Sequence, residues 1–228
     1  NTETTAAIEK FTLDTTKTNT LLREAKKHYG CSVYTLLLGI LYRLTAEWSQ
    51  QSWIVISHRS HGRTIDNQQS FFNSVGNFAI NFPIGINIEK QNNWQQTLNQ
   101  IATKFDQIPM NGVTFDWISE QLPAHIYPDN NLTPIRANYL GNRTAPTYKN
   151  FEFTQTDTDK RLSAPQQKRT TIIEFFFSFT DGKFNLEIEY SHNFHDCGTI
   201  CQLGDRYLEL LQDMLAAIVY ASNGSKVR

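Results

Sequence analysis

The residues of this chain best suited to chemistry fall in one short polar stretch, Ser57 to Arg63, reading SHRSHGR. His58 and His61 carry imidazoles able to act as acid or base near neutral pH. Arg59 and Arg63 carry planar guanidiniums suited to a carboxylate or a phosphate. Far along the chain, Asn138 and Tyr139 add an amide and a phenol side by side. Histidine and cysteine also gather in SHNFHDCGTIC, where His192, His195, Asp196, Cys197 and Cys201 include suitable zinc ligands. That spacing matches no common finger or ribbon, so the stretch reads as a strand-to-helix turn whose cysteines pack as small hydrophobes. A serine hydrolase and a phosphate-loop enzyme are set aside, because no Gly-x-Ser-x-Gly, Walker-type or Gly-x-Gly-x-x-Gly segment occurs.

These groups need elements to hold them. An apolar run, Trp53 to Ile56, precedes the polar stretch, and Phe78, Ile80, Phe82, Ile84, Ile86 and Ile88 follow it at every second position. That period predicts a strand with one face buried, so Ser57 to Arg63 reads as a loop at the end of a sheet. Ile135 to Leu140 predicts a strand ended by Gly141, which would carry Asn138 and Tyr139. Phe11 to Leu13 predicts a short strand, and Phe151 with Phe153 another. Asp181-Gly182 between the β-rich runs Thr171 to Thr180 and Lys183 to Tyr190 predicts a hairpin.

Helical signals alternate with these strands. Thr16 or Thr18 would cap a helix reaching about Tyr29, with Gly30 as its stop. Ser32 would cap the next, in which Leu36, Leu37, Ile40, Leu41 and Leu44 leave almost no polar face, so it is predicted to be buried. Trp94, Leu98, Ile101 and Phe105 predict an amphipathic helix, and Gly112 to Leu122 a short one stopped by Pro123. Leu203, Tyr207, Leu210, Leu211, Met214, Ile218 and Val219 line one face of a C-terminal helix. The interspersed pattern predicts an α/β fold, a mixed β-sheet with covering helices, as a single unit spanning 1–228.

Composition narrows the function classes. In 228 residues the 15 Phe and 9 Tyr supply enough apolar area to offset the entropy of ordering. A formal net charge of -1 and the lack of a long basic run argue against a nucleic-acid partner. No apolar run reaches the roughly 18 residues a membrane helix needs. The first residues, NTETTAAIEKFTL, have neither the basic nor the apolar part of a secretory signal. Three cysteines without framework spacing suit a reducing cytoplasm. The glycosylation sequons at Asn131, Asn142 and Asn223 are then read as chance matches. A first residue other than Met suggests a segment of a longer polypeptide.

Several segments, in order, resemble the C-terminal lobe of the condensation and epimerization domains of nonribosomal peptide synthetases, the epimerization type most. SVYTLLLGILYRL is similar to the family's buried helix after the interlobe crossover. Ser60 to Arg63, SHGR, resembles its Gly-His-Gly-Arg core, and Ser74 to Ile84, SVGNFAINFPI, its Val-Gly-x-Phe strand motif. FDWIS and then Ala137 to Asn142, ANYLGN, resemble the approach to its late Phe-Asn-Tyr-Leu-Gly motif. LEIEYSHNF and the last helix resemble its closing strand and helix.

The resemblance implies a chloramphenicol acetyltransferase-like architecture, two α/β lobes in a V with the active site between them. It implies no directly bound cofactor, the substrate arriving on the phosphopantetheine arm of a peptidyl carrier protein. The main catalytic histidine, in a His-His-x-x-x-Asp-Gly motif, belongs to the N-terminal lobe, and no two His are adjacent in this chain. The chain is therefore expected to be a half-site, inert alone. His58, Arg59, His61 and Arg63 would form a loop of the substrate tunnel, and Asn138 and Tyr139 would face the catalytic histidine. In epimerization domains a Glu stands where this chain has Arg59, and Ser60 and Thr64 replace a Gly and an acidic residue. Arginine cannot be the base that removes an α-proton. Three expectations stay open: epimerization through Tyr139 and the other lobe's histidine, peptide-bond formation, or carrier docking without catalysis.

Overall fold

The computed structural model describes residues 1–64, 71–123, 133–143 and 164–224. The predicted strand at Phe151 and Phe153, the sequon at Asn131 and the last residues of the other two sequons lie outside them. So does the side chain of Val219.

Six strands form one mixed sheet: β1 (Ala6–Leu13), β2 (Trp53–Ser60), β3 (Ile80–Asn87), β4 (Thr133–Asn142), β5 (Thr171–Thr180) and β6 (Lys183–Ser191). Their spatial order is β1-β6-β5-β4-β2-β3. β5, β4 and β2 run parallel, while β1, β6 and β3 are antiparallel to their neighbours. β3 keeps the predicted alternation because it is an edge strand with one face on the core. Its Pro83, which has no N–H to donate, fits an edge and would not fit a central strand. β5 lies inside the sheet, and its run TIIEFFFSFT is largely buried on both faces.

The helices are α1 (Thr15–Asn19), running through a π turn at Thr20–Ala25 into α2 (Lys26–Tyr29), then α3 (Val33–Ser49), α4 (Trp94–Asp106), α5 (Phe115–Ser119) and α6 (Cys197–Gly224). Asp14, not Thr16 or Thr18, caps α1, its carboxylate accepting the Lys17 amide. A carboxylate at that position is also favoured by the helix dipole. Ser32 caps α3 as predicted, and nine of the helix's seventeen residues are buried, so its nearly continuous apolar surface is matched by burial on several sides. α4 carries a capping box between Asn93 and Gln96.

The core lies between the helices and the face of the sheet that bears Phe175, Phe177 and Phe184. These rings stack with Tyr207 of α6, whose hydroxyl donates to the Leu37 carbonyl of α3. Each such aromatic contributes roughly 2–3 kcal/mol by burial, so this cluster anchors α6 and α3 to the middle of the sheet. The β5–β6 turn has Asp181 at φ 52 and Gly182 at φ 74, the two left-handed residues that a tight hairpin requires.

Four predicted boundaries shift. β1 begins at Ala6, five residues before the apolar pair that revealed it, because its outward side chains are polar and its partner β6 is 170 or more residues away. β4 does not end at Gly141 but passes through it to Asn142 after a bulge between Tyr139 and Gly141. The helix predicted over Gly112 to Leu122 is a 3-10 turn, Pro109–Gly112, followed by the five-residue α5. β2 extends through His58, Arg59 and Ser60, which the sequence placed in a loop.

Candidate active-site cleft

β2 and β4 are adjacent and parallel, and a cleft of about 630 Å³ opens where their C-terminal ends meet α4 and the start of α3. Crevices outside the carboxyl ends of strands are where open α/β sheets usually take ligands. His58, Arg59, His61, Asn138 and Tyr139 all line it, whereas Arg63 does not. The pleat divides them, since successive strand residues point to opposite faces.

His58 faces the helices and is almost entirely buried. Its Nδ1 lies 3.0 Å from the Tyr34 hydroxyl and its Nε2 3.0 Å from the Tyr42 hydroxyl. Tyr42 gives its one proton to the Ile84 carbonyl, at 2.9 Å. It must then accept from Nε2–H, which leaves Nδ1 to accept from Tyr34. The ring is thus neutral with both nitrogens used, and Phe105 and Phe82 pack on it. Burial pushes its pKa down to about 3. The acid–base role near neutral pH that its residue type suggested is not open to it. Sequence reasoning read SHRS as a loop because it could not see the two tyrosines that satisfy the imidazole.

Tyr139 also faces the helices. Its ring stacks on Tyr34 at 5.3 Å and meets the edge of Phe179. Just over a third of the residue is exposed, and among the described residues no group is hydrogen-bonded to its hydroxyl. Burial raises its pKa, so at neutral pH the phenol keeps its proton. It is a donor, not a ready base.

Asn138 turns to the other face, away from Tyr139, and its amide donates to Glu174 Oε1 at 3.3 Å. Arg136, two residues earlier, reaches Glu174 Oε2 at 3.3 Å and the Thr170 hydroxyl at 3.0 Å. Arg59 lies beside them, its Nε donating to Asn81 at 3.2 Å and its Nη1 standing 3.6 Å from Glu174 Oε1. Burial first, then the like charges of Arg59 and Arg169, lower the pKa of Arg136, while Glu174 opposes them. Arg136 and Glu174 were not singled out from the sequence. Their signal was a lone charge inside each of two β-rich runs, IRANYL and TIIEFFF.

His61 and Arg63 belong to the true loop. His61 is exposed, and its Nδ1 accepts the Arg63 amide. Arg63 donates to the carbonyls of Phe71, Ser74 and Gly76 at 2.8, 2.6 and 2.8 Å and lies over the Phe78 ring. Three of its five donors go to the backbone, so in this structure it clamps the loop. Gly62, at φ 61, sits so close to the Phe78 carbonyl that a Cβ there would lie 1.9 Å from the oxygen. Arg63 and Gly62 thus hold SHGR against the backbone of Phe71 to Phe78.

The cleft is completed by apolar Ala79, Phe82, Phe105, Ile108 and Leu140 and by polar Ser60, Thr64 and Asn111. Among the described residues no group of three His, Cys, Asp or Glu side chains converges to hold a metal. Asp196 instead caps α6 by accepting from Thr199, and His195 packs on Trp48.

The condensation-domain family model matches residues 1–219. The chain belongs to the condensation-domain family. Relatives of this family include tyrocidine synthase 2 of Brevibacillus parabrevis, 25% identical over 202 residues that cover 86% of this chain and 6% of that protein. Gramicidin S synthase 1 of Brevibacillus brevis is 23% identical over 208 residues, covering 86% of this chain and 19% of that protein. The crystal structure of the epimerization domain from the third module of tyrocidine synthetase B superposes with a TM-score of 0.78 at 21% identity, covering 95% of this chain and 49% of that one. The first condensation domain of the CDA synthetase gives 0.66 at 12% identity, over 93% and 46%. At these identities the superpositions establish the fold. This condensation-family chain spans about half of those two structures and a small fraction of the curated relatives. Among its described residues no helix is long and apolar enough to cross a membrane.

Proposed function

We propose that this chain is the C-terminal lobe of an epimerization-like domain of a cytoplasmic nonribosomal peptide synthetase, forming one wall of the cleft where a carrier-bound aminoacyl or peptidyl thioester reacts. The observation that carries the reading is the convergence of Tyr139 and the apolar walls on one cleft at the ends of β2 and β4. The family match and the fold shared with an epimerization domain support it. An α-proton removed from a thioester leaves an enolate-like oxygen, and a protonated phenol such as Tyr139 stabilises that charge by donating its hydrogen bond. Tyr34 holds the ring in place by stacking. The base is then the histidine of a His-His-x-x-x-Asp-Gly motif on an N-terminal lobe, because the described part of this cleft offers no carboxylate, its His58 is buried and its His61 stands at the rim. Asn138 acts through Glu174, fixing the strand rather than touching substrate.

A second reading, peptide-bond formation, is favoured by one feature: Glu174, the acid nearest Arg59, has both oxygens committed to Arg136, Arg59 and Asn138. Amine attack on a thioester needs no base from this lobe. A non-catalytic docking lobe is the third. The chain alone is expected to turn over no carrier-bound thioester. Joining it to an N-terminal lobe that carries the paired histidines is expected to produce turnover, and turnover by the 228-residue chain alone would refute the half-site.

A further inference from the structure

The face of the sheet opposite the helices carries an unevenly neutralised row of charges. At its far end Arg169 pairs with both Glu3 and Glu189. In the middle Arg136 shares Glu174 with Arg59. Among the described residues one carboxylate, Glu174, therefore stands against two guanidiniums at the end next to the cleft. The division of Glu174 is also unequal. Arg136 and the Asn138 amide donate hydrogen bonds to it, whereas the 3.6 Å approach of Arg59 is too long for one. Arg59 makes one hydrogen bond, from Nε to Asn81, and its Nη2 has no partner among the described residues. Its side chain is more than a third exposed, against 6% for Arg136. The result is a guanidinium pre-positioned by Asn81 and Glu174, with one donor edge open, at the lip of a cleft that already has an apolar wall and a phenol donor.

We infer that Arg59 forms an anion-binding subsite of this cleft and takes a carboxylate carried on the acyl group of the ligand, as in an aspartyl, glutamyl or dicarboxylic acyl thioester. A single open guanidinium edge matches a planar monoanion. A phosphate group usually draws several donors, and among the described residues lining the cleft Arg59 is the sole arginine or lysine. This inference rests on the reading of the cleft as a thioester site only for the identity of the ligand. The anion subsite itself rests on the charge count.

The test is binding of pantetheine thioesters to the 228-residue chain, followed by NMR at the amides of Ser60, Ala79 and Tyr139. Succinyl-pantetheine is expected to bind roughly tenfold more tightly than its methyl ester, with the ratio shrinking as salt is raised. In Arg59→Met the ratio is expected to fall to about one while the ester binds as before. Arg59→Lys is expected to retain a smaller ratio, which separates lost charge from lost structure. An unchanged ratio in Arg59→Met overturns the inference. So does an Arg59-dependent gain seen only when acetyl-pantetheine is replaced by acetyl-phosphopantetheine, which would assign the subsite to the arm's phosphate. If neither thioester perturbs the cleft but succinate alone does so through Arg59, the anion subsite stands and the thioester reading falls. If both thioesters bind equally, the thioester reading stands and the subsite falls.

Discussion

His58 and Arg59 are neighbours on one strand, and the sheet gives them opposite fates. His58 points into the packed interior, where charge is expensive, and two phenols accommodate it as a neutral ring. Arg59 points to the opposite face, where Asn81 and Glu174 only partly engage its guanidinium. Asn138 and Tyr139 repeat the division on the next strand, the amide tied into ions and the phenol stacked among aromatics. The lesson is that adjacency in a strand motif does not make residues partners. One pleat holds a structural residue and a free donor, the other an ion network whose last member is unsaturated.

The largest effect should come from the ions. Replacing Glu174 with Leu leaves two guanidiniums facing each other with no counterion, and is expected to cost about 3–5 kcal/mol in urea unfolding. A loss below about 1 kcal/mol would mean that water already compensates those charges and that the two faces differ less than argued. On the covered side, Tyr42→Phe strips the acceptor of His58 Nε2–H and the donor to Ile84, and is expected to cost about 1–3 kcal/mol with no salt dependence. A strong dependence on salt would show that this side is not dry.

The pH response separates the faces further. The folded pKa of His58 lies at about 3, below the 6.5 of an unperturbed histidine. Between these values the unfolded chain holds one proton more than the folded chain does. The stability is full above pH 6.5 and is lost as pH falls toward 3, at up to about 1.4 kcal/mol per pH unit. His58→Gln, which removes the ionisation, is expected to flatten the stability profile between pH 6 and 4 by about that slope. Equal slopes in the two proteins would mean that His58 titrates freely. The smallest change is expected for Arg59→Met, under about 1 kcal/mol, because that side chain is partly exposed and its ion pair long. A larger cost would make Arg59 a structural member of the network and remove it as a free donor.

Much of the frame was legible in advance, and the reasons are local. The alternation from Phe78 to Ile88 survives because β3 buries one face, and Asp181-Gly182 dictates its own turn. Ser32 and the apolar α3 specify their helix within a single stretch. What escaped depends on partners distant in sequence. SHRS reads as loop until Tyr34, Tyr42, Asn81 and Glu174 are placed beside it. Arg63 looks like an anion binder until the 71–76 carbonyls fold over it. Tyr34, the platform under Tyr139, lay in plain view in SVYTLLLG but resembled any aromatic near a helix start.

The central claim is that Tyr139 supplies this lobe's hydrogen bond to the enolate-like oxygen of an epimerization-like reaction. It is tested most directly by presenting a carrier-bound aminoacyl or peptidyl thioester in D2O to this lobe joined to its N-terminal partner. Deuterium is expected to enter the α-position, and Tyr139→Phe is expected to slow its entry by roughly a hundredfold to a thousandfold, the usual reach of one oxyanion donor. A new amide without α-deuterium, or α-exchange unaffected by Tyr139→Phe, would contradict the account.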